Sequence, residues 1–383
     1  MSSVNCCNCS LVWNSSGWSR KPGPSVTPEA SVPGASLYPC CSASWGEPIP
    51  FREISGGLRS CEGKLKHLGI SAPSHSTLSY ANEHRPWELY QLTFLKLFDR
   101  CRSQVKSGKK KFRFKNKLVS LDSSIIDLCL SMYDWARFRR TKGAIKLHLL
   151  LDHDGYLPSF AIITEGKVSD VQVARRFQFD PGTILVDDRG YNDYGLFGRW
   201  TSGGVYFVTR MKDNALFEVV GQRKVPQGRH ILKDQIIELR GLGAFEKCPY
   251  PLRRIEFYNA EKEEVLVFLT NHPGLGASTI AAIYKDRWQI ELFFKALKQN
   301  LKIKTFVGTS ANAVKIQIWT ALIAMLILKF LQLRSRFNWS LSNLVALLRM
   351  NLFTHRDLWA WLNQPFDVLP AQYEPQQLEL SMS

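Results

Sequence analysis

Four residues in one apolar-backed stretch have the types and spacing to do chemistry on a phosphate. Between Ile280 and Leu301 the chain reads IAAIYKDRWQIELFFKALKQNL, without Pro or Gly and rich in good helix formers, so a helix is expected. Arg287, Glu291 and Lys298 follow Tyr284 at offsets of three, seven and fourteen. At about 100° per residue those offsets return to one narrow stripe. Ile283, Ile290, Phe293 and Leu297 fall on a roughly opposite stripe and can anchor the helix to a core. A carboxylate between two cations and a phenol can hold a metal beside a phosphodiester, with Arg and Lys gripping its oxygens. The plainer alternative is a solvated helix face, where Arg287 and Glu291 form an i,i+4 pair worth about 0.3 kcal/mol.

The pattern Y-x2-R-x3-E-x6-K formed by these residues resembles the signature of bacterial insertion-sequence DDE transposases of the insertion-sequence-4 family. The resemblance implies that Glu291 is the third member of an Asp, Asp, Glu metal-binding triad, with two Asp residues upstream at strand ends. Asp122, in LVSLDSS, and Asp188, in DDRGY, are the candidates. D-R-G-Y resembles a second family signature and selects Asp188 over Asp187, which is left as a helper or a solvated neighbour. A lone Asp at a strand end is ordinarily a turn or cap, and Asp127, Asp152, Asp154 and Asp170 have no comparable support. Lys146 and His148, in KLHLLLD, also resemble family residues beside the site. The resemblance further implies that Asp122, Asp188 and Glu291 hold two Mg2+ ions, for which Mn2+ can substitute. Arg287 and Lys298 would hold backbone phosphates, and Tyr284 would hydrogen-bond one. The activity implied is cut-and-paste transposition on the double-stranded inverted-repeat ends of an element and on target DNA, by a homodimer. Two alternatives stay open: a metal-dependent nuclease of the same fold, and a catalytically inactive DNA-binding relic.

The elements that would position these residues form an α/β chain. Leu118–Leu121, Ile145–Leu151, Tyr156–Ile163 and Thr183–Val186 read as strands, and Asp170–Phe177 as a helix before the last of them. Three strands, a helix and a fourth strand match the order of a ribonuclease H-like catalytic core, in which acids on the first and fourth strands converge. About a hundred residues separate Asp188 from Glu291, too many for a loop. Strand patterns at 205–210, 218–220, 236–240, 252–258 and 265–270 make this a β-rich insertion. The resemblance implies an aromatic there that stacks on a flipped base; with no Trp in 201–287, Phe207, Phe245, Tyr258 and Phe268 are candidates and none is assigned. A small helical DNA-binding domain precedes the core. The layout is 1–50 atypical and disordered, 51–105 helical and helix-turn-helix-like, 106–200 core, 201–275 insertion, 276–362 core with carboxyl-terminal helices, and 363–383 loose tail.

A net charge of +17 and a pI near 9.5 point to a polyanion, nucleic acid before an acidic membrane surface. The densest cationic run holds Lys109, Lys110, Lys111, Arg113, Lys115 and Lys117, with Phe112 and Phe114 alternating among them, as a strand edge touching a DNA backbone would. Asn82 and Arg85, on a helix capped by Ser76 and ended by Pro86, are types that read base edges. No secretory signal is read at the start, and the apolar stretch 316–333 is interrupted by Gln317, Thr320, Lys329 and Gln332, so a buried core helix is expected and no membrane. Cys61, Cys101, Cys129 and Cys248 read as reduced buried thiols of a cytoplasmic, nucleoid-associated protein, and Cys6, Cys7, Cys9, Cys40 and Cys41 are poorly spaced for zinc.

Overall fold

The computed structural model describes residues 50–366 apart from 66–68, 70, 105–110, 129–132, 134, 140–141, 301–305, 353 and 355. The expectations for residues 1–49, Lys109, Lys110, Cys129 and the tail beyond 366 lie outside the described residues. Cys101 and Cys248 are buried and outside any disulfide, whereas Cys61 is half-buried rather than buried.

The centre of the fold is strand β1 (Leu118–Leu128). A short β2 (Arg137–Arg139) precedes β3 (Lys142–Asp152), which runs antiparallel to β1 along its length; β4 (Leu157–Glu165) pairs antiparallel with β3. On its other side β1 pairs in parallel with β5 (Ile184–Val186), and β5 in parallel with β6 (Tyr206–Arg210). Beyond β6 the same sheet continues antiparallel through β10 (Glu264–Thr270), β9 (Leu252–Asn259) and β8 (Ile231–Leu239) to β7 (Phe217–Gln222), giving ten strands among the described residues. The five strand patterns read between 205 and 270 are all strands here. The first of them, β6, pairs with the parallel strands, and the other four extend the sheet.

Strand periodicity places three cores around this sheet. Along β5, Ile184 and Val186 face one core and Leu185 the other, so a strand buried on both faces reads as an unbroken apolar run. The connections between β4, β5 and β6 carry α5 (Asp170–Ala174), shorter than its pattern suggests, and α6 (Tyr194–Ser202), whose N-cap Asp193 accepts from the Leu196 amide. Against the β1–β3–β4 face packs α10 (Ala311–Arg334), apolar on all sides and mostly buried, with Trp319 at its middle. Its length and composition would also suit a membrane span, but two-thirds of its most apolar window is buried inside the protein.

The amino-terminal helices are α1 (Phe51–Ser60), α2 (Glu62–Leu65), α3 (His75–His84) and α4 (Trp87–Gln104). The cap of α3 is Ser74, not Ser76: its hydroxyl accepts from the Thr77 amide at 3.1 Å. Asn312, at the start of α10, donates to the Glu83 and Arg85 carbonyls and accepts from the Trp87 amide. Phe94 of α4 lies 5.4 Å from the Trp319 ring. These contacts tie the helical segment to the sheet-covering helix.

The stretch expected as one helix is two. α7 (Ala244–Lys247) is followed, after β9 and β10, by α8 (Ala277–Asp286) and α9 (Trp288–Asn300), which meet at Arg287. Hydrogen bonds from the Arg287 amide to the Tyr284 carbonyl and from the Ile290 amide to the Arg287 carbonyl tighten the turn to i,i+3 spacing. The apolar anchors divide accordingly. Ile283 joins the core under β5 and β6, whereas Ile290, Phe293 and Leu297 join the core with Trp319.

Candidate active site

Asp122 and Asp188 are delivered by neighbouring parallel strands. Ser120 of β1 is registered with Val186 of β5, and each Asp lies two residues further on. β1 runs on through Asp122 to Leu128 while β5 stops at Val186, so Asp122 stands inside a strand rather than at its end. Asp188 leaves the strand as the cap of a short 3-10 turn, Arg189–Tyr191, accepting from the Gly190 amide at 2.7 Å. A Cβ on Gly190 would meet that carboxylate oxygen at 2.8 Å, so a side chain there would push the Asp188 cap aside.

The α8–α9 junction closes over β1. Arg287 donates from Nη1 to Asp122 Oδ2 at 3.2 Å and from Nη2 to Glu291 Oε1 at 2.5 Å. One guanidinium therefore bridges two of the three acids. Its Cζ lies 5.6 Å from the Tyr284 ring, whose other neighbour is Phe268 at 4.9 Å. Lys298 Nζ donates to the Ile125 carbonyl at 3.0 Å, further along β1. Arg287 and Lys298 of the stripe thus reach β1, while Tyr284, before the break in the helix, lies against Phe268 of β10.

The electrostatics are those of crowded acids around one cation. Burial pushes the Asp122 carboxyl up to about 7, Arg287 counters this, and the charges of Asp188 and Glu291 add to it. Asp187, which the sequence left as a helper or solvated neighbour, is fully buried, and burial pushes it well above the usual carboxylate range. The Thr209 hydroxyl opposes that rise, and the charge of Asp188 adds to it. An all-carboxylate donor set near one guanidinium suits a hard divalent cation by its chemistry. In this arrangement Asp122 and Glu291 are held on Arg287 and Asp188 caps Gly190, and among the described residues no three His, Cys, Asp or Glu side chains stand as a ready ligand set.

The other sequence candidates fall into three groups. Lys111 and Arg113 are exposed, but residues 111–117 form bends rather than a strand edge, with Phe112 and Phe114 stacked at 5.3 Å and packed on the core. Asn82 and Arg85 are half-buried at the end of α3; the Asn82 amide sits where a Cβ on Gly308 would meet it at 2.5 Å. Ser76, Ser79, Tyr80 and His84 are among the residues of α3 that face solvent, the last two stacked at 4.1 Å. Lys146 and His148 lie on β3 opposite Ile125 and Ser123 and converge on Asp170 at 3.3 and 3.4 Å.

Sequence reasoning missed two features. The Tyr191 hydroxyl is buried, and burial together with the charges of Asp122, Asp170 and Asp187 pushes it well above its ordinary range. The other is Asp286, whose partners Lys111, His153 and Tyr156 are spread over the chain, so no local spacing announces them.

Residues 113–327 match the model of the transposase DDE domain, more than half of the chain. The chain belongs to that family, the DDE transposases, which cleave nucleic acid. It is 32% identical over 309 residues to y4zB of Sinorhizobium fredii, a protein named as a transposase, covering 79% of this chain and 84% of that one. It is also 27% identical to the transposase named for insertion sequence element IS5377 of Geobacillus stearothermophilus, over 72% of each chain. A third relative, named for element IS4SA of Synechocystis, is 26% identical over 67% of this chain and 71% of that one. A chain from the piggyBac transposase synaptic complex with hairpin DNA superposes at a TM-score of 0.40 and 9% identity, over 92% of this chain and 77% of that one, too distant to carry weight.

Proposed function

We propose that this transposase cuts and joins DNA at the double-stranded ends of its own insertion sequence, with Asp122, Asp188 and Glu291 as its acids. The observation that carries the reading is the Arg287 bridge, which reaches Asp122, 165 residues earlier in the sequence, and Glu291, one turn later, from one helix junction. The parallel β1–β5–β6 strands flanked by antiparallel β3 and β4 support a ribonuclease H-like core, and the Y-x2-R-x3-E-x6-K spacing supports a place in the insertion-sequence-4 family.

In this reading Asp122, Asp188 and Glu291 would hold Mg2+, or Mn2+ in its place. Bound there, such ions would supply Lewis-acid chemistry, lowering the pKa of an attacking water or 3′-hydroxyl and stabilising the leaving oxygen. The carboxylates cancel the metal charge without offering protons to the reaction. Arg287 keeps Asp122 and Glu291 compensated and presents its remaining N–H donors towards a backbone phosphate. Lys298, one helix face further along β1, holds a second phosphate as a point charge, and Tyr284 supports Arg287 from below while its hydroxyl reaches a phosphate. The exposed cations Lys111 and Arg113, with Lys109 and Lys110 before them, extend the contact to the DNA backbone, and the α3 region holding Asn82 and Arg85 adds to it. Two ends are paired by two copies of the chain, acting at the nucleoid in the cytoplasm.

The test separates cutting from joining. A labelled duplex from the element's end, incubated with Mg2+ and a target plasmid, is expected to yield both a cleaved end and a strand-transfer product. Cleavage without joining would instead describe a nuclease, and tight binding without either would describe an inactive relic.

A further inference from the structure

Asp286 is a buried carboxylate with no part in the chemistry above, yet it sits one residue before Arg287, where α8 meets α9. A buried charge needs partners, and Asp286 has three: Lys111 Nζ at 2.5 Å, His153 Nδ1 at 2.7 Å and the Tyr156 hydroxyl at 3.1 Å. Burial alone would push its carboxyl up, but the hydrogen bonds from His153 and Lys111 hold it below the usual range. The second ring nitrogen of His153 lies 2.7 Å from Ser120 Oγ. Ser120 is two residues before Asp122 on β1.

The order Ser120, His153, Asp286 has the connectivity of a nucleophile triad, but Ser120 is fully buried, so its hydroxyl meets no substrate. The chain of bonds has a different consequence. It runs from the strand that carries Asp122, through the β3–β4 turn, to the residue next to Arg287. The same two segments are joined again, on the active-site side, by the Arg287–Asp122 bond. We propose that Asp286 is a positioning residue, which fixes the backbone at the helix junction relative to β1 and thereby aims Arg287 between Asp122 and Glu291. His153 and Lys111 hold it there, and Lys111 links the start of the basic segment to the same point. The inference rests on the reading of the active site given under Proposed function.

A purely structural network would change stability; a positioning network changes turnover. The test uses the full chain and the labelled end duplex with Mg2+, at saturating DNA for kcat, with DNA affinity from anisotropy and Tm from calorimetry. Asp286→Asn and His153→Ala are expected to lower kcat about 100-fold, because misplacing a reacting group by about 1 Å costs that much, while Kd for the duplex moves by less than about threefold. His153→Asn puts an amide N–H near the place of Nδ1–H and is expected to recover most of the lost kcat. A kcat near that of the native chain in Asp286→Asn and His153→Ala, or a His153→Asn no better than His153→Ala, would overturn the proposal. Should Asp286→Asn fail to fold, the His153 pair decides. Glu291→Gln is run beside them: if it cleaves as the native chain does, the reading of the site has failed; if it is dead while Asp286→Asn keeps full kcat, only this inference has.

Discussion

At Arg287 one guanidinium meets Asp122 and Glu291, so its loss leaves two half-buried acids facing each other without a counter-charge. Arg287→Gln is expected to lower the rate of end cleavage about 100-fold or more, the size seen when one fixed donor is removed from a developing charge. Arg287→Lys keeps the charge but loses the fork, since one ammonium cannot hold both carboxylates in the plane that a guanidinium does; it should fall between the two. Single-turnover cleavage measures both. His148 makes the pH prediction. It is fully buried, and burial lowers its imidazole from 6.5 to about 4, with Asp170 opposing and Lys146 and Arg176 adding to the shift. Between about 4 and 6.5 the unfolded chain takes up a proton at His148 that the folded chain refuses. Stability therefore rises with pH across that window and is lost on acidification. Unfolding by urea at several pH values should show this slope, and His148→Gln should remove a part of it worth roughly 3 kcal/mol over the window.

Among the elements, the helix carrying the signature shows what a sequence can and cannot announce. Its helical period was legible because it is local: Tyr284, Arg287, Glu291 and Lys298 repeat on one face, and Ile283, Ile290, Phe293 and Leu297 are buried as the opposite face. The break at Arg287 was not legible, because it accompanies the packing of two helix halves into different cores and the pinning of Asp286 by Lys111, His153 and Tyr156. The strands were legible for the same local reason, through alternation and β-branched content as at Ile145–Leu151, or through a short unbroken apolar run as at Ile184, Leu185 and Val186. Which strands neighbour which was not written in any local pattern and came only through the resemblance, since Asp122 and Asp188 become adjacent through the parallel pairing of β1 and β5. The α6 helix gives a test of packing at this scale. A Cβ on Gly198 would stand 2.0 Å from the Lys247 carbonyl oxygen, backbone that cannot swing aside. Gly198→Ala is expected to destabilise the fold by at least about 2 kcal/mol, read as a lower Tm in calorimetry.

Over the whole molecule the charge of +17 sets how the chain meets DNA. Each phosphate contact made by a cation releases counter-ions, so affinity should fall steeply with salt. Lys115 is exposed in the basic segment, so Lys115→Gln should weaken binding to all duplexes alike and reduce the log–log salt slope by about one. The acids, by contrast, should govern what happens after binding. The measurement that bears most directly on this division is cleavage of a labelled duplex from the element's end in Mg2+, comparing the native chain with Glu291→Gln at equal DNA occupancy. The site described here predicts full binding and no cleavage by Glu291→Gln, with cleavage by the native chain. Equal cleavage by both would remove Glu291 from the mechanism, and with it the account of Asp122, Asp188 and Arg287 built around it.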